Sequence, residues 1–163
     1  GLPKSLVMAV IHTESSFNPM AESHIPAYGL MQVVPHSAGI DVNEFLFNKR
    51  EPLYKDYLFN PEQNVEAGSA YLHLLDHRYL KKITDPQSRL YCVIAAYNTG
   101  VGNVARAFTK KPRSKMNDNV VSQINSLSAE QVLQILGKQL PYDETKRYLK
   151  KVKQRMEHYQ QII

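Results

Sequence analysis

Leu6-Val7-Met8-Ala9-Val10-Ile11-His12-Thr13-Glu14-Ser15-Ser16-Phe17-Asn18-Pro19 joins an apolar helical stretch to a carboxylate at its end. Val7, Val10, Ile11 and Glu14 stand at i, i+3, i+4 and i+7, so they share one helix face. A carboxylate therefore takes the last place on a stripe otherwise suited to burial. Asn18-Pro19 stops the helix, because the residue before a proline is driven out of the α region. Burial disfavours the charged form of Glu14, and the negative end of the helix dipole acts in the same direction. A carboxyl kept protonated near neutral pH is a general acid. Position alone also fits an amphipathic helix whose last turn frays into water. Glu14 is thus a candidate catalytic acid whose setting the fold decides.

Helical signals continue along the chain. Pro3 suits the first turn of the opening helix. Gly29-Leu30-Met31-Gln32-Val33-Val34 predicts a short helix stopped by Pro35. Residues 40–57, which include Pro52, predict short helical pieces and loop. Asn60-Pro61-Glu62-Gln63 marks a helix start, with Asn60 as cap, proline at the first helical position and glutamine at the third. That helix is expected to reach about Leu80. Asp85-Pro86-Gln87 repeats the signal, and Asn98 and Gly100 stop the helix it opens. Val101 to Phe108 restarts a helix. Lys110 to Asn119, rich in charge, proline and asparagine, predicts a mobile surface loop. Ser128-Ala129-Glu130-Gln131 is a capping box for a helix that Pro141 ends. The last helix spans about Asp143 to Gln160, with Tyr148, Leu149, Val152, Met156 and Tyr159 on one face. No period-two strand pattern of useful length and no internal repeat occurs. The fold class expected is all-α.

The 163 residues suit one domain, expected to span 1–163. A chain of this size buries roughly 70% of its unfolded surface and needs no staples. Its one cysteine, Cys92, lies in an apolar run, which predicts a buried, inert thiol and excludes an internal disulfide. Twenty basic and fifteen acidic residues give a net charge of +5. That balance favours polyanionic partners in a general way. The basic residues of the last helix are scattered around its apolar stripe, as on a solvated outer face, so nucleic acid is not an expected partner. No apolar run approaches the ~20 residues of a membrane span. No signal peptide is present, and Gly1-Leu2-Pro3 opens inside folded-looking sequence, which predicts a fragment of a longer precursor.

No metal or cofactor motif appears. His73 and His77 have the i, i+4 spacing of a zinc pair, but lack the following glutamate and an obvious third ligand. There is no nucleotide-binding glycine loop and no serine nucleophile elbow. Gly29 permits a close backbone approach. Gln32 offers a donor and acceptors that suit a sugar hydroxyl or amide, or else it is an exposed residue on a core helix. Tyr97-Asn98 at a helix end either points into a cleft or caps the helix.

Taken in order, Glu14-Ser15-Ser16-Phe17-Asn18-Pro19, Gly29-Leu30-Met31-Gln32 with Pro35, Ala67-Gly68 with Tyr71-Leu72, Ala96-Tyr97-Asn98-Thr99-Gly100 and Glu144-Thr145 with Tyr148 resemble the soluble-type lytic murein transglycosylase domain. The resemblance runs over nearly the whole chain. It is strongest to membrane-bound members, which are outer-membrane lipoproteins. It implies a goose-lysozyme-like α fold and a periplasmic location, with anchoring through a segment outside this chain. It also implies cleavage of the β-1,4 bond between N-acetylmuramic acid and N-acetylglucosamine in peptidoglycan, without water. By family position Ser23, Gln32, Tyr97 and Asn98 line the sugar site, and Tyr148 approaches Glu14 from the last helix. The chain has no tryptophan, so sugar stacking falls to Tyr and Phe, with Tyr28 the candidate. No cofactor is implied. The motifs around Glu14 supply no second acid, and a hydrolase ordinarily needs one to activate water or to act as nucleophile. Glu22 and Glu144 are the carboxylates that would serve a goose-type muramidase. A wall-binding module without catalysis is the third reading, which an intact Glu14 opposes.

Overall fold

Side-chain caps at Asn60, Asp85, Asn117 and Ser128 open four of the helices. The computed structural model describes residues 2–163. Its helices are α1 (Lys4–Ser15), α2 (Ala38–Phe47), α3 (Lys55–Phe59), α4 (Pro61–Leu74), α5 (Pro86–Thr99), α6 (Val101–Thr109), α7 (Asp118–Asn125), α8 (Ala129–Gln139) and α9 (Asp143–Ile162). Asn60 caps α4 by accepting from the Gln63 amide at 3.0 Å. Asp85 caps α5 by accepting from Ser88, with Pro86 at the first position. The Ser128–Gln131 capping box of α8 is closed in both directions. Extended pairing among the described residues is limited to two isolated bridges, Glu22 with Tyr28 and Tyr28 with Val33. The fold is all-α.

Four boundaries differ from the sequence reading. Pro3 is the N-cap of α1 rather than part of its first turn. That helix also ends earlier than proline alone requires. Ser16 adopts a left-handed conformation (φ 51°) and returns its amide to the His12 carbonyl, and Phe17 is left-handed too. After Leu74, α4 gives way to a π-helical turn, Leu75–Tyr79. The loop read over Lys110 to Asn119 ends earlier, because Asp118 and Asn119 open α7, a helix the sequence reading did not place, whose cap is the Asn117 side chain accepting from Val120.

The Gly29–Val34 stretch is not a helix. Gly29 (φ 79°) and Gln32 (φ 50°) are both left-handed, which a right-handed helix cannot contain. Tyr28 and Val33 instead exchange both backbone bonds, at 3.1 and 3.2 Å, across a tight turn. The apolar residues that suggested a helix are nonetheless interior: Met31 and Val33 are buried.

The described residues form two units, 2–73 with 154–163, and 74–153. In the first, Leu6, Ala9, Val10 and Ile11 of α1 are buried, as are Val42 of α2, Leu58 of α3, and Ala67 and Leu72 of α4. In the second, six consecutive α5 residues, Tyr91 to Ala96, are buried. A helix buried all round is a central one. It packs on α6, α8 and the π turn, and α6 packs on α7 and α8. Cys92 lies in this core, where burial pushes its thiol up to about 12. A thiol so raised stays protonated and inert, as its apolar setting predicts.

Candidate active site

Glu14 lies in the last turn of α1, on the same face as the buried Val10 and Ile11, and is itself half-buried. The helix end is closed tightly around it. Ser15 Oγ donates to the Ile11 carbonyl at 3.1 Å, and the Ser16 amide donates to the His12 carbonyl at 3.1 Å. The frayed turn that position alone allowed is therefore absent. A carboxyl at the C-terminal end of a helix meets the negative end of its dipole, which favours the protonated form. On the neighbouring residues, His12 Nδ1 lies 3.1 Å from the buried Tyr159 hydroxyl, and Arg155 Nη1 donates to Thr13 Oγ1 at 3.1 Å. Burial first, then the charges of Arg155 and His158, hold the His12 pKa below its ordinary value. That imidazole is a neutral structural contact at neutral pH.

Ser23, Tyr28 and Gln32 fall in the same unit as Glu14. Ser23 staples its own loop: Oγ donates to the Ile25 carbonyl and accepts from the Ala27 amide at 3.3 Å. Gln32 uses its Nε2 on the carbonyls of Ala21 and Gly29, both at 3.0 Å. Its Oε1 lone pairs are unspent among the described residues, so the amide is oriented by two bonds and presents an acceptor. Tyr28 is half-buried, with its ring edge-on to Phe59 at 5.6 Å and Lys55 Nζ 5.2 Å from its centroid. It lines a cavity of about 700 Å³ with three prolines, Tyr54, His36 and Lys55. Lys55 Nζ also meets Glu22 at 3.1 Å, so that carboxylate is tied to a lysine on the surface.

Sequence reading missed Asn64, which holds this turn in place. It is fully buried on α4. Its Oδ1 accepts from the Met31 amide at 2.8 Å, and its Nδ2 donates to the carbonyls of Tyr28 (2.8 Å) and Leu58 (2.7 Å). The Met31 amide and the Leu58 carbonyl thereby gain buried partners, and the Tyr28 carbonyl, already bonded by the Val33 amide, gains a second donor. Gly29 is obligatory here for a second reason besides its φ. A Cβ at Gly29 would lie 2.3 Å from the Leu58 carbonyl oxygen, and one at Gly68 would lie 2.7 Å from Met31 Cβ. The close approach expected of Gly29 is thus real, and the Ala67-Gly68 motif is its counterpart on α4. The available signal was an asparagine at an inward position of α4, where helix propensity gives it no reason to be.

Tyr97, Asn98 and Tyr148 fall in the other unit. Tyr97 and Asn98 occupy the last turn of α5, half-buried. Asn98 Oδ1 accepts from Thr145 Oγ1 at 2.8 Å, so Asn98 ties the end of α5 to the first turns of α9. Thr145 is 1% exposed, which explains the threonine of the Glu144-Thr145 motif. Tyr148, one turn further along α9, is also buried. Glu144 is exposed at the start of α9. His73 packs on the Phe45 ring at 5.5 Å, and His77 Nδ1 meets Asp76 at 3.1 Å. No group of three or more potential metal ligands assembles among the described residues, and no helix is long and apolar enough to cross a membrane.

Comparison with known proteins identifies the framework. Residues 1–120 match the Transglycosylase SLT domain. The chain is 46% identical to membrane-bound lytic murein transglycosylase C of Pectobacterium atrosepticum, over 98% of this chain and 43% of that protein. It therefore spans less than half the length of that relative. Among solved structures it is similar to the 70 kDa soluble lytic transglycosylase of Escherichia coli, with a TM-score of 0.67 and 25% identity, over 99% of this chain and 22% of that one. An inactive Glu-to-Gln mutant of the lytic transglycosylase Slt of Pseudomonas aeruginosa matches with a TM-score of 0.65 and 25% identity, over 99% of this chain and 22% of that one. The chain belongs to the transglycosylase SLT domain family and has its lysozyme-like, all-α fold.

Proposed function

We propose that residues 1–163 are the catalytic domain of a peptidoglycan lytic transglycosylase, with Glu14 as its single acid and base. The observation that carries this reading is the setting of Glu14: a half-buried carboxyl closing the apolar face of α1, at the negative end of that helix. Glu14 protonates the glycosidic oxygen of the leaving N-acetylglucosamine as the bond to C1 of N-acetylmuramic acid breaks. The resulting carboxylate then takes the proton of the C6 hydroxyl of the same muramic acid, and O6 bonds to C1. One proton passes from O6 to the leaving oxygen through Glu14, and no water is consumed. Proton transfer by a well-placed group contributes ~10²–10⁴-fold in each role. The relative's inactive Glu-to-Gln mutant supports a glutamate as the reacting group.

Ser23, Tyr28, Gln32, Tyr97, Asn98 and Tyr148 are the proposed sugar-binding residues. The oriented Gln32 amide supports its share, because a donor-held amide presents its oxygen in a fixed direction. The hydrolytic alternative requires a second carboxylate. Glu22 is committed to Lys55 and Glu144 is exposed, which favours the non-hydrolytic route. The relatives' printed names, which say membrane-bound and murein, support a membrane-bound full-length protein that acts on murein, and periplasmic placement with an outer-membrane anchor is the proposed finer location. Glu14→Gln is the test. The amide keeps the shape but neither gives nor takes the proton, so cleavage of purified sacculi should fall by at least about 10³-fold with an unchanged melting temperature. Wild-type turnover by the folded variant would end the assignment.

A further inference from the structure

The two units divide the chain's charge very unequally. Residues 1–73 with 154–163 hold nine acidic and five basic side chains, whereas residues 74–153 hold six acidic and fifteen basic. A net +5 chain thus contains a unit of +9 and a unit of −4. The densest part of the positive unit is the connection after α6, Lys110-Lys111-Pro112-Arg113-Ser114-Lys115, and no acid occurs between Arg106 and Asn117. Lys110, Lys111, Arg113 and Lys115 are all exposed, and none takes part in an ion pair among the described residues. Asp118, the first acid beyond, is already held by Lys82 at 3.2 Å.

This connection is built rather than slack. Thr109 Oγ1 accepts from the Lys111 amide at 3.1 Å, and Ser114 Oγ donates to the Lys111 carbonyl at 2.6 Å. Since the Ser114 proton is spent there, the bond between the two hydroxyls runs from Thr109 to Ser114. The chain then returns along α6, where a Cβ on Gly102 would lie 3.2 Å from the Ser114 carbonyl oxygen. Lys110 (φ 59°) and Arg113 (φ 60°) occupy left-handed positions that glycine or asparagine ordinarily fills. Two cations therefore stand where local conformation favours other residues, on a turn that fixes their spacing.

We propose that this cationic turn binds the carboxylates of the peptidoglycan stem peptides, so that the domain recognises the peptide-bearing strand and not the glycan alone. The inference rests on the peptidoglycan reading given above, and charge complementarity selects the occupant. The glycan backbone offers a cation only the lactyl carboxyl, which the peptide caps, whereas each stem carries free carboxylates. A fixed group of unpaired cations concentrates such anions and loses its advantage as salt screens it.

The experiment is co-sedimentation with purified sacculi, comparing the wild-type chain with K110Q/K111Q/R113Q/K115Q, and native sacculi with sacculi whose stem carboxylates have been amidated. Wild type should bind native sacculi at least about tenfold more tightly than the variant does, within the range that electrostatic focusing supplies. Amidation should remove the difference, as should raised ionic strength, with melting temperatures equal. Equal binding of amidated and native sacculi by the wild-type chain would overturn the proposal without use of any variant. So would a loss in the variant confined to phosphatidylglycerol vesicles, which would make the turn a lipid contact. Release of anhydro ends by the wild-type chain is scored separately, so failure of the enzymatic reading is distinguishable from failure of this one.

Discussion

Two connections, the Gly29–Val33 turn and the 110–117 segment, carry the same kind of backbone irregularity by opposite means. Each contains two left-handed residues. The first is braced from inside by a buried amide on another helix, Asn64, which bonds three backbone groups. The second is braced at the surface by its own hydroxyls, Thr109 and Ser114. A brace from the interior is costly to remove, because the groups it leaves behind have no water to turn to. A brace at the surface is replaceable by solvent. The first turn accordingly holds the Gly-Leu-Met-Gln motif rigid beside the core, while the second shapes an exposed cationic loop.

Asn64→Ala breaks that contrast most strongly. It strands the Met31 N–H and the Leu58 carbonyl in the interior, at ~1–3 kcal/mol for each unsatisfied group, and takes one of two donors from the Tyr28 carbonyl. A loss of about 3–5 kcal/mol is expected, with a fall in melting temperature of about 10 °C. A fall of a degree or two would show that water reaches the turn and that the interior brace is dispensable.

Tyr148→Phe asks whether a buried residue of the other unit serves chemistry as well as packing. The ring keeps its place beside Leu149 and Val152, and only the hydroxyl is lost. A hydrogen bond with a charged partner is worth ~1.5–3 kcal/mol, so turnover of sacculi should drop roughly tenfold or more while the melting temperature barely moves. Unchanged kinetics with a large melting shift would make Tyr148 a core residue only.

The smallest effect belongs to the surface brace. Thr109→Val removes the hydroxyl that accepts from Lys111 and donates to Ser114, and solvent takes over both partners. Thermal denaturation should report a loss of about 0.5–1 kcal/mol. A loss comparable to that of Asn64→Ala would erase the distinction between the two braces.

The same contrast explains what the sequence disclosed. Helix starts at Asn60, Asp85 and Ser128 were legible because cap and helix are neighbours in the chain. The place of Glu14 at the end of an apolar face was legible for the same reason. The Gly29–Val34 turn was not, since its apolar residues fit a helix and the side chain that holds the turn instead, Asn64, is some 33 residues away. Helix α7 was missed because Asn117, its cap, stands in a run of polar residues that also reads as loop. Of the proposed sugar-binding residues, Asn98 was recognisable as a helix-end residue, but its partner Thr145 is 47 residues distant. Local chemistry reveals elements; the bonds that set functional turns are long-range, and residue identity alone does not announce them.

The central claim is that Glu14 works alone, passing a proton from the substrate's own hydroxyl to the leaving sugar. An intramolecular hydroxyl held near the anomeric carbon reaches an effective molarity of ~10⁵ M or more in well-oriented cases, so it outcompetes water. Mass spectrometry of the muropeptides released from sacculi, with and without chelator, tests this most directly. The account predicts 1,6-anhydromuramyl ends almost exclusively, lighter by one water, at a rate the chelator leaves unchanged. Mainly reducing muramic acid ends would contradict it and would turn attention to Glu22 or Glu144 as the base of a hydrolase.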